Sequence, residues 1–594
     1  MNIKPIIAAG FLIFATVATP LYGQFSDWTG LQGIDYSDAE NWTDGVPEPE
    51  VVAGFHLAGD YMVGIDNSEE TAGVNISGGN PTFLGGGNLE TQQFNIDDGD
   101  ITVNTEFVCN GLFNLGSPNS SARLFVNAGG QVKVPFGDMR LWGTSDFVFT
   151  NALLNADVLN VGHGAAASSN LITASNGSQI NTGIARIGQN QTSVASAMIA
   201  GANTQWQNDE FLVVGDLGTG QIAVSGGAKV NSDNFVVAAR QPSGTGRIFV
   251  VGNGSEFGTQ SFLVIGGEAA SLLDVSDGGL VYADNLTIAN DSEANFDSGF
   301  GTIQGDVTIT DSNLTLANGS SVTANGVVTV EMGGVLEIIS SEFLADELIV
   351  ENGLLTISGT ETSLGNVTNM SIFAVNAQTN VQDLRTSGTV ELTPNGVLTV
   401  QGTCYATGVF VGNASRLELQ GDVFPGEGNQ IANFVVEGEL ALKTSTLINM
   451  QISTPLSDQI SCREITFPNA TSINYEIDSG GNFQNGQEIV LIETDEDFAS
   501  EFINHPEGDT VQSGQFTFTT TYSGGDGNDL ALIVSGGSDV LLGDVNEDGV
   551  VDLLDVGPFV EVLTSGVFQA EADCNEDGTV DLLDVDPFVS ILGG

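Results

Sequence analysis

Short apolar runs that end in glycine recur along the middle of the chain at a nearly constant spacing. The runs at Phe211–Gly215 and Phe262–Gly266 are each followed by a second apolar run and a Gly-Gly pair. Corresponding run ends fall at positions 162, 188, 215, 238, 266 and 289, so successive ends are separated by nearly equal lengths of chain. One rung of a β-solenoid, where each strand pairs with strands above and below, takes about 25 residues. The spacing predicts an all-β body folded as a right-handed parallel β-solenoid.

Looser copies of the pattern extend the predicted solenoid over residues 60–480. Examples are Val327–Val330 and the Asn-Gly-bounded run at Leu354-Leu355. About 17 rungs at the strand-pairing distance of about 4.8 Å would make a rod roughly 80 Å long. A β-propeller is the competing fold, but it would need more regular blades and a recurring aromatic signature. Over residues 160–290 the units resemble the repeat of autotransporter passenger domains, which implies an exported bacterial protein.

Both ends of the predicted solenoid carry segments of different character. Residues 1–23 combine Lys4, an apolar run from Ile6 to Ala18 and a small residue at Gly23, which is typical of a signal peptide. An uncleaved membrane anchor is the alternative, but the apolar core is short for a membrane span. We expect a secreted mature chain that begins near Gln24 and has no membrane span after cleavage.

Tryptophans mark the first residues after this segment. Trp28 and Trp42, the latter within an Asn-Trp-Thr motif, resemble the start of many secreted bacterial β-repeat proteins. Two indole rings can cover the open end of a β-stack, so residues 24–59 are predicted to form an N-terminal β cap. Residues 481–534 are predicted to be a closing β segment, and residues 535–542 a flexible linker.

Charge excludes several classes of partner. The chain has 75 acidic and 12 basic residues, a net charge of −63. Such a surface repels phosphate backbones and anionic lipids, so nucleic-acid binding is excluded. Four isolated cysteines and three isolated histidines give no zinc motif and no disulfide framework, although one long-range cysteine pair stays open.

A duplicated acidic motif occupies the last part of the chain. Two copies, beginning at Asp544 and Asp573, place oxygen-bearing side chains at loop positions 1, 3, 5, 9 and 12, glycine at position 6, and a residue that lends its carbonyl at position 7. Calcium prefers six to eight oxygen ligands, and a loop that wraps it presents alternate residues inward. The motif predicts two Ca²⁺ ions, with the ligands Asp544, Asn546, Asp548, Val550, Asp552 and Asp555 in one loop and Asp573, Asn575, Asp577, Thr579, Asp581 and Asp584 in the other.

The duplicated motif resembles the type I dockerin family over residues 543–594. No helical run precedes either loop and position 12 is Asp, which differs from an ordinary EF-hand. The resemblance implies a small α, EF-hand-like domain that docks on a cohesin-like or other cell-surface protein. Two departures stand out: Leu553-Leu554 and Leu582-Leu583 replace the polar pair that often contacts the partner, and Pro558 and Pro587 are expected to mark the first helical residues.

Two functional classes follow from this organisation. The favoured one is a secreted, non-catalytic surface or extracellular-matrix protein, an adhesive or structural β-rod with a calcium-dependent docking module. The alternative is a carbohydrate-active β-helix enzyme, a polysaccharide hydrolase or lyase tethered by its dockerin. The sequence contains no nucleophile elbow and no paired His with Cys or Ser, so no catalytic residue is predicted. Polysaccharide along the solenoid is a candidate partner in either case.

Overall fold

A computed structural model describes residues 24–164, 167–394, 396–412, 415–426, 428, 430–536, 541–575 and 577–592. The predicted signal peptide and residues 537–540 of the predicted linker lie outside the described residues. Strands make up 58% of the structure, which is a β-solenoid with about 19 turns and a small helical region near the C-terminus. The predicted fold class is confirmed. Domain boundaries drawn from the sequence stay predictions.

Strands joined by turns and loops make up the described chain from residue 24 to residue 536. Their bounds are β1 Gln24–Asp27, β2 Val51–Phe55, β3 Asp60–Gly64, β4 Ser68–Thr71, β5 Gly73–Ser77, β6 Asn80–Leu115, β7 Ala122–Val126, β8 Gln131–Trp142, β9 Asp146–Thr150, β10 Leu153–His163, β11 Ser168–Ser175, β12 Gln179–Ile187, β13 Ser193–Ala200, β14 Gln205–Val214, β15 Thr219–Ser225, β16 Lys229–Ser232, β17 Phe235–Ala238, β18 Thr245–Val251, β19 Glu256–Thr259, β20 Phe262–Ile265, β21 Leu272–Ser276, β22 Leu280–Ala283, β23 Asn285–Ile288, β24 Glu293–Asp297 and β25 Phe300–Ile303. They continue as β26 Val307–Thr310, β27 Asn313–Ala317, β28 Ser321–Glu331, β29 Val335–Ile339, β30 Glu342–Glu351, β31 Leu354–Ser358, β32 Thr362–Leu364, β33 Asn366–Asn369, β34 Ile372–Val375, β35 Gln378–Val381, β36 Leu384–Thr386, β37 Thr389–Leu392, β38 Val397–Val400, β39 Cys404–Ala406, β40 Val409–Val411, β41 Arg416–Leu419, β42 Asp422–Phe424, β43 Asn433–Leu442, β44 Leu447–Ile452, β45 Gln459–Thr466, β46 Ser472–Ile477, β47 Glu488–Thr494, β48 Thr510–Ser513, β49 Phe516–Gly524 and β50 Asp529–Gly536.

The chain divides into two compact units. The first comprises the described residues up to Leu272 together with Gly278–Leu280, and the second comprises Leu273–Asp277 and the described residues from Val281 onward. Short 3₁₀ helices occur at Ala39–Asn41 and Ala570–Ala572, and the α-helices are α1 Val556–Ser565 and α2 Val585–Leu592. No helix of the described chain is long and apolar enough to cross a membrane.

Parallel pairing characterises the first unit, and from β8 onward its interval along the chain is nearly constant. Leu153 of β10 pairs with Gln179 of β12, which pairs with Gln205 of β14. Inward positions of successive strands form apolar columns, for example Ala197, Ile222 and Ile248, all fully buried. The predicted rung length is confirmed here, because alternate residues of each short strand face the core.

Glycine ends several of these strands because the chain turns a corner of the solenoid there. Gly188 has φ +79°, in the left-handed region, and a Cβ at this position would lie 2.5 Å from the carbonyl oxygen of Thr219. Any other residue would be strained and would collide with the next turn of the solenoid. The glycine that ends the apolar run in the sequence is therefore the corner residue at this position.

An aromatic cluster covers the first strands of this unit. The rings of Trp28 and Trp42 meet edge to face with centroids 5.2 Å apart, and Trp42 also contacts Tyr36 and Phe55. The Trp42 indole N–H donates a 2.7 Å hydrogen bond to the carbonyl oxygen of Tyr36. Both tryptophans are buried, so they extend the core beyond its first strands.

Turns are shorter over much of the second unit. Leu354 of β31 pairs with Ile372 of β34, which pairs with Thr389 of β37, so these turns use clearly less chain than those of the first unit. Longer turns return near β43, where Asn433 pairs with Gln459. The predicted number of about 17 rungs is therefore lower than the observed number of about 19 turns, because shorter loops between the strands fit more turns into the same chain length.

Pairing becomes antiparallel at the end of the β body. β47, β49 and β50 form an antiparallel arrangement, and β48 pairs with β49. The segment Gly524–Leu532 forms the tight turn between β49 and β50 and the start of β50. Cys109, Cys404, Cys462 and Cys574 are buried and unpaired, so the long-range disulfide that the sequence left open does not form among them.

Candidate metal centre

Both acidic loops lead directly into a helix. Asp555, at position 12 of the first loop, precedes α1, and Asp584 precedes α2. The helices begin at Val556 and Val585, so the expected starts at Pro558 and Pro587 are wrong by two residues. The third helical residue can be proline because the N–H groups of the first turn have no acceptor within the helix.

The first loop position is a buried aspartate that gathers backbone N–H groups. Asp544 Oδ1 accepts a 3.0 Å hydrogen bond from the N–H of Asp548, and Oδ2 accepts one of 2.7 Å from Gly549. In the second loop, Asp573 accepts the corresponding bonds from Asp577 and Gly578, at 3.2 and 2.9 Å. These bonds fold each loop around its own first carboxylate.

The twelfth position closes each loop in the same way. Asp555 Oδ1 accepts a 3.0 Å bond from the N–H of Asn546, and Oδ2 accepts a 2.8 Å bond from Asp552. Asp584 accepts the matching bonds from Asn575 and Asp581, at 3.0 and 2.8 Å. Asp555 and Asp584 are 0% exposed, so each loop holds one fully buried carboxylate.

Positions 3, 5 and 9 lie nearer to solvent. Asn546 Nδ2 donates a 3.0 Å hydrogen bond to Asp548 Oδ2, and Asn575 makes the same bond to Asp577. Asp552 and Asp581, at position 9, are exposed and accept 2.7 Å bonds from the N–H groups of Leu554 and Leu583. The two copies therefore repeat their contacts position by position.

Positions 6 and 7 form the sharp turn of each loop. Gly549 and Gly578 both have φ +85°, a left-handed conformation that glycine adopts without strain. Val550 is exposed at position 7, while Thr579 donates a 2.7 Å hydrogen bond from its hydroxyl to Asp577 Oδ1. This bond and a second one from the Thr579 N–H hold the pKa of Asp577 below its ordinary value.

The carboxylates of each loop are turned toward loop amides rather than toward one another. Among the described residues, no three His, Cys, Asp or Glu side chains stand close enough together to form a metal site by themselves. The donor chemistry nevertheless suits a hard cation, since each loop contains four aspartates, one asparagine and a position 7 carbonyl. No Lys, Arg or His occurs in residues 543–594 to balance the buried carboxylates.

Comparison with known proteins identifies the module. Residues 542–587 match the family model of the dockerin type I domain. The C-terminal module is a type I dockerin domain. Among solved structures, the chain is similar to the Haemophilus influenzae Hap adhesin, with 11% identity and a TM-score of 0.27 over 84% of this chain and 66% of that chain. No curated protein matches the chain.

The dockerin core lies between the two helices. Phe559 and Phe588 are buried and stack face to face, and Leu563 and Leu592 pack beside them. Val560 and Val589, which directly follow the two phenylalanines, are 50% and 59% exposed. Val562 and Ile591 occupy the places beside the core, because a helix buries positions three and four residues apart and not adjacent ones.

Sequence reasoning missed the residues that join the loops to this core. Val545 and Cys574, both at loop position 2, are buried against the phenylalanines, and Gln569 donates a 2.9 Å bond to the carbonyl oxygen of Val545. Burial, and then the charges of Asp584 and Asp573, raise the pKa of the Cys574 thiol to about 11. The signal was present, since position 2 is apolar in both copies.

Two pairs of leucines lie on the surface of the dockerin domain. Leu553 and Leu554 are 82% and 66% exposed, and Leu582 and Leu583 are 79% and 67% exposed. All four follow position 9 of a loop, so the duplication creates two equivalent apolar protrusions. Exposed apolar groups of this size on a small domain indicate an interaction surface.

Proposed function

We propose that this chain is an exported, non-catalytic surface or extracellular-matrix protein whose β-solenoid is attached to its partner by a calcium-dependent dockerin domain. The dockerin identity supports docking, since domains of this family generally bind cohesins. The export proposal depends on residues 1–23, which resemble a signal peptide, and N-terminal sequencing of the exported protein is expected to begin near Gln24.

In this proposal each loop holds one calcium ion. The first would use the side chains of Asp544, Asn546, Asp548, Asp552 and Asp555 and the carbonyl oxygen of Val550. The second would use Asp573, Asn575, Asp577, Asp581 and Asp584 and the carbonyl oxygen of Thr579. A bound Ca²⁺ supplies positive charge that offsets the repulsion among these carboxylates and ties each loop to its helix.

The observation that carries the proposal is the fully buried carboxylate at position 12 of both loops. Asp555 and Asp584 are 0% exposed, and among the described residues their carboxylates accept hydrogen bonds from backbone N–H groups alone. The sequence of the module has no Lys, Arg or His. Burial of an ionised carboxylate without a countercharge costs roughly several kcal/mol, and a bound cation offsets most of that cost.

The docking face in this proposal consists of the exposed leucine pairs, Leu553-Leu554 and Leu582-Leu583. They occupy the positions that carry a polar pair in many dockerins, so the partner is expected to present apolar pockets. All charged side chains of the domain are negative, which favours a partner with basic residues at the rim of those pockets. The partner is therefore a cohesin-like or other cell-surface protein with an apolar, basic-rimmed face.

The test is capture of the full-length protein on cell-surface fractions and on immobilised cohesins, with calcium or with a chelator. Native mass spectrometry of the same preparation counts the bound ions, with two expected. Capture that needs calcium and is lost with chelator supports the proposal. Capture that is equal in both conditions, or a protein that retains no calcium at millimolar concentration, contradicts it.

A further inference from the structure

An outward-facing column of side chains crosses four successive turns of the second unit. Thr368 pairs in register with Arg385, Arg385 with Tyr405, and Tyr405 with Phe424. Each of them follows a buried residue, so their side chains lie on the solvent face of the solenoid. Neighbouring members of the column are separated by one strand-pairing distance, about 4.8 Å.

The middle of this column is a fixed aromatic stack. The rings of Tyr405 and Phe424 lie with centroids 4.9 Å apart and planes 15° apart. The guanidinium carbon of Arg385 lies 4.6 Å from the centre of the Tyr405 ring, a cation–π distance. Both rings are half-buried. The stack therefore holds an apolar strip in one orientation on an otherwise polar face.

Two shallow grooves adjoin this strip, and Tyr405 lines both. One groove has a volume of about 330 Å³, and the other of about 180 Å³. Polar groups line both, namely Glu347, Asn366, Asp383 and Thr403 in the first and Gln430, Asn449, Gln451 and Glu476 in the second. An aromatic strip flanked by amides and carboxylates is suited to a ligand with apolar faces and hydroxyl edges.

The second groove contains an unsatisfied hydrogen-bond donor. The amide nitrogen of Asn449 is buried and has no hydrogen-bond partner among the described residues. The groove floor is held in place by Asp458, which accepts hydrogen bonds of 2.7 and 2.9 Å from the N–H groups of Gln451 and Ala432. A buried amide without an acceptor is unfavourable, and a ligand hydroxyl in the groove would satisfy it.

We propose that the grooves on either side of Tyr405 bind a neutral, extended glycan. Sugar rings present C–H faces to aromatic rings and hydroxyl edges to amides and carboxylates. Four carboxylates line the grooves, those of Glu347, Asp383, Asp458 and Glu476, so acidic polysaccharides are repelled. Two open grooves in series along the solenoid suit consecutive units of a polymer better than one compact metabolite, which is usually enclosed in a single pocket. The inference extends the proposed function by giving the solenoid a ligand, and it is independent of calcium docking.

The test uses the full-length protein and affinity electrophoresis in gels that contain laminarin, arabinoxylan, xyloglucan or galactomannan as neutral probes, and alginate or polygalacturonate as acidic probes. At least one neutral glycan is expected to retard the protein. Tyr405→Ala and Phe424→Ala are each expected to weaken that binding at least about tenfold, as for a central aromatic contact. Tyr405→Phe keeps the ring and is expected to retain most of the binding. Phe262→Ala removes an exposed ring of the first unit and serves as the matched control.

Each outcome decides the inference. Binding to a neutral probe that is lost in Tyr405→Ala and retained in Tyr405→Phe and Phe262→Ala supports it, provided that the variants keep the wild-type melting temperature. If Tyr405→Ala does not fold, Asn449→Ala gives the same comparison in the second groove alone. Binding to acidic probes only, no binding to any neutral probe, or binding unchanged in all groove variants overturns it. Chelator is expected to leave glycan binding intact, so a failure of calcium-dependent docking can be distinguished from a failure of the glycan inference. Release of reducing sugar from a probe would contradict the proposed non-catalytic function.

Discussion

Phe559 of α1 and Phe588 of α2 stack face to face, with ring centroids 3.9 Å apart and planes only 2° apart. Each ring belongs to the first turns of the helix that follows an acidic loop, so the stack joins the two halves of the dockerin domain. We expect calcium binding in one loop to stabilise the other loop through this contact, because both helices share one small core.

Phe559→Ala is expected to remove the contact through which the two loop–helix halves of the dockerin domain stabilise each other. Loss of a buried phenylalanine costs about 3–5 kcal/mol, which a core of this size cannot absorb. Hydrogen exchange in calcium is expected to accelerate throughout α1 and α2 while the solenoid strands stay protected. Val560→Ala, an exposed neighbour on the same helix, is the matched control, and equal exchange in the two variants would contradict the role of the stack.

Asp555→Asn is expected to remove one calcium ion. The amide keeps the size of the side chain but loses its charge and one acceptor oxygen, so the first loop no longer offers a full anionic ligand set. Native mass spectrometry is expected to show one bound ion instead of two. Asp586→Asn changes an exposed aspartate of α2 outside the loops and should retain two.

Leu553→Ser with Leu554→Ser is expected to weaken capture by the docking partner while calcium binding is unchanged. Exposed apolar anchors contribute to association and little to the stability of the free domain. Because the leucines are duplicated, we expect a partial loss from one pair and a larger loss when Leu582 and Leu583 are also replaced. If the variant with all four leucines replaced is captured as well as the wild type, the leucine pairs are not the docking face.

Thr182→Val is expected to destabilise the first unit. The Thr182 hydroxyl accepts a 2.8 Å bond from the Trp206 indole N–H and donates a 2.9 Å bond to Asn208 Oδ1, and all three residues are buried. Valine leaves both partners unsatisfied, at a cost of about 2–4 kcal/mol. Hydrogen exchange of β12 and β14 measures the change, and Thr182→Ser, which keeps the hydroxyl, should stay close to the wild type.

Asp458 is expected to make stability depend on pH. Burial, partly offset by hydrogen bonds from the N–H groups of Gln451 and Ala432, raises its pKa from 3.8 to about 6. The folded chain therefore takes up this proton before the unfolded chain does, so the contribution of Asp458 to stability increases as the pH falls from above 6 toward 4. The gain is at most about 3 kcal/mol.

Asp458→Asn is expected to lose this dependence. Denaturation midpoints of the wild type and the variant are compared at pH 7 and pH 4.5, and the wild type should gain relative to the variant at the lower pH. Asp422→Asn, which changes an exposed aspartate of β42, should show no such relative change. A constant difference between the wild type and Asp458→Asn would show that this carboxyl is not perturbed.

Local patterns account for the parts of the structure that the sequence predicted. The alternation of apolar and polar residues set which side of each strand is buried, and glycines such as Gly188 marked the corners, because both depend on residues near in the chain. The doubled acidic loop was recognisable for the same reason, as twelve consecutive positions contain the whole ligand pattern. Helix starts at Val556 and Val585 were missed because proline tolerates several places in a first turn.

The sequence by itself determined that the body is a stack of short strands and that a dockerin domain with a duplicated acidic loop follows it. Both features depend on the spacing of residues within a single turn or loop. Only the tertiary structure decided which outward residues become neighbours. Tyr405 meets Arg385 and Phe424 because the lengths of two successive turns bring the three residues into register, and inserting or deleting a single residue in either turn would direct one of those side chains into the core. Register between turns is set by packing across the whole rung, and no local stretch of sequence contains it.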